Sequence, residues 1–370
     1  MFTMRRPIFA LFVVASLHAC APRGMALDST LGPHAGGHAS SIATGDTVTE
    51  IDKAIWIVFQ AADDAYWFGS NGQGVYRSDG QTIVRFGTEH GLSGNQIRAI
   101  QEDRAGNIYV CSDSGRNDGA VSRFDGRAFS TLPVADPTTS EWKLGSDDLW
   151  FPAGQDSGAV FCWDGRSLHR LAFPKTAAGD AHFAALPRSK FPNAKYSPYD
   201  VYTITRDSKG RLWFGTATLG ACCYDGSSFE WVGHAENGSF GVRSIVEAKD
   251  GTFWLSNTLS RFAEIPHAVT DPSATAPRFR KEPSFATDAD PFSAFMSAVK
   301  DKNGDLWLAT LGAGVWRYDG TVMTHYPVTH NGAAIWVYSI YQDRHGVLWL
   351  GTQGHGLYKF NGEAFEEFKY

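Results

Sequence analysis

VYSIYQDRHGVLWLGTQGHGLYKFNGEAFEEFKY, residues Val337 to Tyr370, closes the chain. It holds four short β-type runs: Val337 to Gln342, Val347 to Thr352, Gly356 to Phe360 and Ala364 to Lys369. Asp343 to Gly346, Gln353 to His355 and Asn361-Gly362 separate them. Short runs bounded by Gly, Asn and Asp predict tight turns, and hence a four-stranded antiparallel meander.

The same unit recurs up the chain. Aligned on the aromatic of the second run, the copies fall at Trp67, Tyr109, Trp150, Trp213, Trp254, Trp307 and Trp349, a period of about 42 residues with two insertions. A hydrophobic residue follows each aromatic, and then usually a small one: Gly69, Cys111, Pro152, Gly215, Ser256, Ala309, Gly351. Six copies go on to an Asp/Asn-Gly pair, at Asp79, Asp125, Asp164, Asp225, Asp319 and Asn361, which accepts the positive φ angles of a two-residue hairpin. In the fifth copy the third run, Ser260 to Ile265, leads instead into a long loop, Pro266 to Ala276. A four-stranded sheet cannot bury both faces alone, whereas seven stacked radially can. The expected fold is therefore all-β, a seven-bladed propeller of four-stranded antiparallel blades over residues 51–370.

Composition agrees with many short strands: of 370 residues 43% are apolar and 14% aromatic, with 39 Gly and 12 Trp. The net charge of -6 offers no basic face to a phosphate backbone, so nucleic acid is not expected as a partner. Residues 1–20, MFTMRRPIFALFVVASLHAC, place Arg5 and Arg6 before an apolar run from Ile8 to Leu17. That run is too short to span a bilayer and reads as a secretion signal. Leu17-His18-Ala19-Cys20 resembles the bacterial lipobox. The resemblance implies an acylated Cys20, and Ala21 after it resembles the outer-membrane-sorted case. Ordinary cleavage near Ala19 or Ala26 would instead release a soluble periplasmic or secreted protein. Residues 21–50, rich in Ala, Gly, Ser, Thr and His, are expected to form a flexible tether.

Asp343-x-x-Gly346-x-Leu348-Trp349-Leu350-Gly351-Thr352, with Gly356-Leu357 and Phe360-Asn361-Gly362, resembles the two-component regulator propeller repeat. Asp207 to Asp225 and Asp301 to Asp319 match nearly as well, and copies three and five match least. The resemblance implies the extracytoplasmic sensor of a membrane receptor, often glycan-responsive, with a membrane helix and a kinase downstream. This chain ends on its last strand with neither, so any signal is expected to pass to another protein.

First strands line a propeller's channel, so a fixed position near their start forms a ring at its mouth. The second residue of each first strand is Trp56, Arg98, Trp142, Tyr202, Arg243, Met296 and Tyr338. Aromatic faces there suit a stacked sugar and guanidinium groups an anion, while the alternative is that these side chains plug the channel or pack between blades. Two insertions, Phe173 to Tyr199 and Pro266 to Pro291, extend the same face.

Carboxylates at Asp103, Asp207, Asp301 and Asp343 share one repeat position and read as turn formers. Asp301 to Asp305 resembles the start of a calcium loop, but its Gly falls at the fourth position and no Glu follows at the twelfth. Motifs for phosphate binding, serine hydrolysis and zinc hydrolysis are missing, and His325, His330, His345 and His355 lie on different loops. No catalytic residue, metal or cofactor is assigned. An oxidising envelope permits a Cys162 to Cys222 bridge, while Cys111 reads as a buried thiol. The reading is a monomeric binding module recognising a glycan or an envelope protein, touching the membrane only through its lipid. The alternative is a propeller lyase or glycosidase with acid and base residues in the channel-mouth loops.

Overall fold

The structure, a computed structural model, describes residues 44–113, 119–154, 157–185, 197–232, 241–265, 278–283 and 294–369. The secretion signal, Cys20 and most of the tether lie outside the described residues, as do residues 186–196 of the first insertion and most of the second. The C-terminal meander forms as Val337–Gln342, Leu348–Thr352, Leu357–Phe360 and Phe365–Phe368, each strand antiparallel to the next. Seven such sheets stand around one axis. Six inner strands line it: Ile55–Gln60, Gln96–Glu102, Val201–Arg206, Ser244–Glu247, Ser297–Lys300 and Val337–Gln342.

Two blades depart from four strands. In the first, Asp46–Val48, assigned to the tether from sequence, pairs with Ile83–Phe86 as a fifth, outer strand. Main-chain pairing and an Arg85 to Asp46 ion pair at 3.2 Å hold it, so the tether ends earlier than expected. The third blade has only Leu149–Pro152, Ala159–Trp163 and Leu168–Ala172. The inner strand expected around Trp142 does not form. Leu149–Pro152 takes the innermost place, beside the inner strands of both neighbouring blades. The Gln101 side-chain amide donates to the Trp150 carbonyl at 2.5 Å, and the Cys111 thiol to the Pro152 carbonyl at 3.3 Å. Pro152 carries no N–H to leave unmet. Side chains of the second blade thus cap an edge that a strand covers elsewhere.

Apolar clusters fill the spaces between blades. Trp67 and Phe86 of the first blade pack with Ile97, Ile108 and Phe129 of the second. This packing explains the small residue after each aromatic pair. A Cβ on Gly215 would stand 2.6 Å from the Val242 carbonyl oxygen, and one on Gly351 would stand 2.5 Å from that of Ile55. The next blade's inner strand crosses there, leaving no room for a side chain of any size.

The shared aspartate does more than turn the chain. Asp343 is buried, and its Oδ1 accepts the amides of His345 at 3.0 Å and Val347 at 2.8 Å. Its Oδ2 accepts Trp349 Nε1–H at 2.9 Å and the Tyr66 hydroxyl at 2.7 Å. Asp207 and Asp301 hold Trp213 and Trp307 alike, both at 3.0 Å, and Asp103 holds the Tyr109 hydroxyl at 3.0 Å. The Asp301 segment is thus a strand-anchoring turn. The Asp/Asn-Gly turns work through the side chain as well. Asp225 Oδ1 accepts the amides of Ser227 and Ser228, each at 2.8 Å, ahead of Gly226 at a φ of 98°.

The seventh and first blades close the ring without sharing a strand. Besides Tyr66 to Asp343, the Gln60 amide donates to the Tyr341 hydroxyl at 3.2 Å and the Arg344 amide to Gln60 Oε1 at 2.9 Å. Ile55, Phe68, Trp349 and Leu357 form the apolar part of this seam.

Candidate ligand site at the channel mouth

The mouth side chains are aimed by the backbone. Pairing between inner and second strands slips at Trp56, Arg98, Tyr202 and Tyr338, each the unpaired residue of a β-bulge. Arg243 and Met296 lie one residue ahead of their strands and bond back through their amides, to Ser256 and Ala309, each at 2.7 Å. A bulge turns a side chain out of the alternating pattern, here towards the axis. The signal was in the sequence, because the bulge faces the small residue of the second strand: Gly69, Cys111, Gly215 and Gly351.

Six of the seven expected residues therefore occupy one repeat position at the mouth, and the structure brings five of them into two stacks. Trp56 and Tyr338 lie parallel, centroids 4.8 Å apart at 7°, and the Arg98 guanidinium stands 5.3 Å from the Trp56 ring. On the other side the Arg243 guanidinium lies 3.8 Å from the centroid of Tyr202. Met296 adds an apolar edge from the sixth blade.

Trp142 is the exception. Its indole N–H donates to the Ala172 carbonyl at 2.9 Å, and its ring packs against Tyr224 at 5.2 Å and Phe229 at 4.8 Å. These partners belong to the outer strands of the third and fourth blades, far along the sheet from the axis. An apolar cluster captures Trp142 because the third blade builds no inner strand to carry it. The third blade therefore contributes no residue to the ring from this repeat position.

The two arginines differ in their electrostatics. Arg98 donates to Asp113 at 2.6 Å and to Gln96 at 2.8 Å, and Asp113 is itself buried, so its charge is met within the protein. Arg243 makes no ion pair among the described residues, and its buried Nε–H has no hydrogen-bond partner there. Burial raises the Tyr338 phenol above its ordinary pKa, and the nearby Arg243 charge acts in the opposite sense. The result is a wall of planar groups bearing one positive charge, Arg243, that has no ion-pair partner among the described residues.

Supporting residues escaped the sequence reading. Gln353 accepts the Trp56 indole N–H at 2.5 Å, Asp113 fixes Arg98, and Trp336, 46% exposed, precedes the inner strand of the seventh blade. Polar loop residues of this kind carry no periodic signal. The structure also joins two histidines expected apart: His330 and His355 lie 4.7 Å from centroid to centroid, with the Tyr358 hydroxyl 3.3 Å from His330 Nδ1. Cys162 and Cys222 are free thiols buried in one cluster, so the permitted bridge is not made. Among the described residues no helix is long and apolar enough to cross a membrane.

Comparison with known proteins supports the repeat. The two component regulator propeller model matches residues 91–114, 195–218 and 331–354. These segments carry the inner strand, aspartate turn and aromatic strand of the second, fourth and seventh blades. No curated protein matches the chain. Among solved structures, the extracellular domain of BT4673 from B. thetaiotaomicron is similar at a TM-score of 0.57 and 20% identity, over 85% of this chain and 39% of that one. The extracellular domain of BT3049 from the same organism has a TM-score of 0.56 at 16% identity, over 83% of this chain and 40% of that one. Virginiamycin B lyase from Staphylococcus aureus has a TM-score of 0.59 at 12% identity, over 85% of this chain and 96% of that one. The chain thus spans well under half the length of either extracellular domain, and at these identities the likeness concerns the fold. The chain is a seven-bladed β-propeller, and its second, fourth and seventh blades match the two component regulator propeller model.

Proposed function

We propose that this is an exported ligand-binding propeller of the bacterial envelope, held to the outer membrane through an acylated Cys20, which takes a carboxylated glycan at its channel mouth. The observation that carries the ligand class is Arg243, a guanidinium with no ion pair among the described residues, stacked 3.8 Å from Tyr202 and near Tyr338. A desolvated arginine on an aromatic face pairs strongly with a carboxylate, and the neighbouring rings favour a sugar's flat face. The extracellular domains of similar fold support the exported setting.

A glycan array with wild type, Arg243→Gln and the pair Tyr202→Ala plus Tyr338→Ala tests the ligand. Binding restricted to carboxylated glycans and weakened roughly tenfold in Arg243→Gln is the expected outcome. Equal binding of neutral glycans, or capture of an acidic protein alone, would refute it. For the anchor, Cys20→Ser should abolish palmitate labelling and move the protein to the soluble fraction.

A further inference from the structure

In four blades an aspartate, buried in three of them, meets the aromatic of the second strand; in the first, third and fifth the position is Ala61, Leu144 and Ala248. Trp67 is the counterpart of Trp213, Trp307 and Trp349 and is 1% exposed, yet its indole N–H has no hydrogen-bond partner among the described residues. Six residues earlier stands Ala61, where those blades hold Asp207, Asp301 and Asp343. The turn itself is unchanged. The Ala61 amide donates to the Ala65 carbonyl at 2.9 Å and the Asp64 amide to the Ala61 carbonyl at 3.1 Å, just as Asp343 bonds Val347 and Gly346 bonds Asp343, each at 2.9 Å. The Asp63 amide, counterpart of amides that reach the carboxylate in the other blades, has no such acceptor here. The Ala65 amide, counterpart of the Val347 amide, is taken by Asp63 Oδ1 at 3.0 Å, so of the donors that the sister aspartates gather, the Trp67 indole N–H and the Asp63 amide are the ones left without an acceptor among the described residues.

The space beside the indole is open. Ala61 and Trp67 line a cavity of about 880 Å³ between the first and second blades, with Arg77, Glu102, Asn107 and Phe124 around them. It opens on the face opposite the mouth, where the aspartate turns lie. In the third blade Leu144 packs against the apolar cluster holding Trp150, whose indole N–H also has no partner among the described residues; what sets the first blade apart is the cavity beside Trp67. Arg77 stands over Trp67 at 6.0 Å from the ring centroid and shares its charge with Asp63 at 3.1 Å. Glu102 borders the cavity with both oxygens taken by the Ala62 amide, at 3.1 and 2.8 Å.

We propose that this cavity is a second binding site, for a small carboxylate that stands in for the missing aspartate and accepts the Trp67 indole N–H beside Arg77. A carboxylate is the class because it is what the same donors hold in the sister blades, and an unmet buried donor favours an acceptor over an apolar group.

The test follows indole N–H resonances of the full chain by nuclear magnetic resonance during titration with sodium formate, against sodium chloride at equal ionic strength. Trp67→Phe identifies the Trp67 signal by its loss. That signal should move saturably with formate and acetate, and not with formamide. In Ala61→Asp it should sit displaced from the start, with formate binding weakened at least roughly tenfold. Arg77→Gln should leave the signal in place and weaken formate by a similar factor. A signal that ignores formate, follows formamide equally, titrates unchanged in Ala61→Asp or keeps its affinity in Arg77→Gln would overturn the assignment.

Discussion

Replacing Asp343 by Ala strikes the seam where the ring closes. Its carboxylate accepts four hydrogen bonds, and it is the acceptor that two donors, Trp349 Nε1–H and the Tyr66 hydroxyl, use among the described residues. Leaving a buried donor unmet costs about 1–3 kcal/mol, so two such donors set a loss of about 3 kcal/mol once partial solvation of the turn amides is allowed for. Asn at 343 keeps an oxygen for the amides but turns an NH2 towards the indole N–H, and should cost about half as much. Tyr66→Phe removes one of the same bonds, so the double variant should lose less than the sum of the singles. Burial alone would push the Asp343 carboxyl up, but the hydrogen bonds from Tyr66, Trp349, Val347 and His345 together outweigh it and hold the group below the usual carboxylate range. A pKa depressed on folding adds stability above the unfolded value of about 3.9, and that stability is lost as pH falls through the folded value. Guanidinium unfolding at pH 7 and at pH 3 measures both effects. The wild-type advantage over Asp343→Ala should be full at pH 7 and reduced at pH 3. A difference under about 0.5 kcal/mol at pH 7, or one that grows on acidification, would refute the reasoning.

Gly351→Ala places a methyl 2.5 Å from the Ile55 carbonyl and the Ser339 hydroxyl and should cost about 2 kcal/mol, read as a lowered melting temperature. Gln101→Ala uncovers the Trp150 carbonyl at the edge of the third blade and should cost about 1–2 kcal/mol in the same assay. Burial pushes the thiols of Cys111, Cys162 and Cys222 well above their ordinary pKa and that of Cys223 up to about 11. At pH 8 none of the four should react with a thiol reagent until denaturant is added, and fast native labelling would contradict this.

Most of the fold was legible in the residues because each blade states itself locally. Trp349 followed by Leu350, Gly351 and Thr352 encodes a buried strand, and Asp343 and Gly346 encode the turn before it. The strand Val337 to Gln342 was found to the residue. The third blade was misread because its spacing of 41 residues from the second implies an inner strand, whereas a proline, a glutamine side chain and a thiol close that edge instead. No periodicity reports such a substitution. Asp46–Val48 was missed for a related reason: three polar and β-branched residues beside a Gly-rich run declare themselves only when a partner strand is in place. At the mouth the fixed position near each inner strand's start was legible, and the bulge that makes it point inward was written in the facing glycine. The different electrostatic states of Arg98 and Arg243 were not, since Asp113 lies 15 residues from Arg98 in a different strand.

The mouth's role rests on one guanidinium meeting one carboxylate. The most direct measurement is calorimetric titration of a uronic-acid oligosaccharide and its methyl ester into wild type and Arg243→Gln, as a four-way cycle. Esterification should weaken binding to wild type roughly tenfold and leave Arg243→Gln nearly indifferent. An equal loss in both proteins would contradict the account.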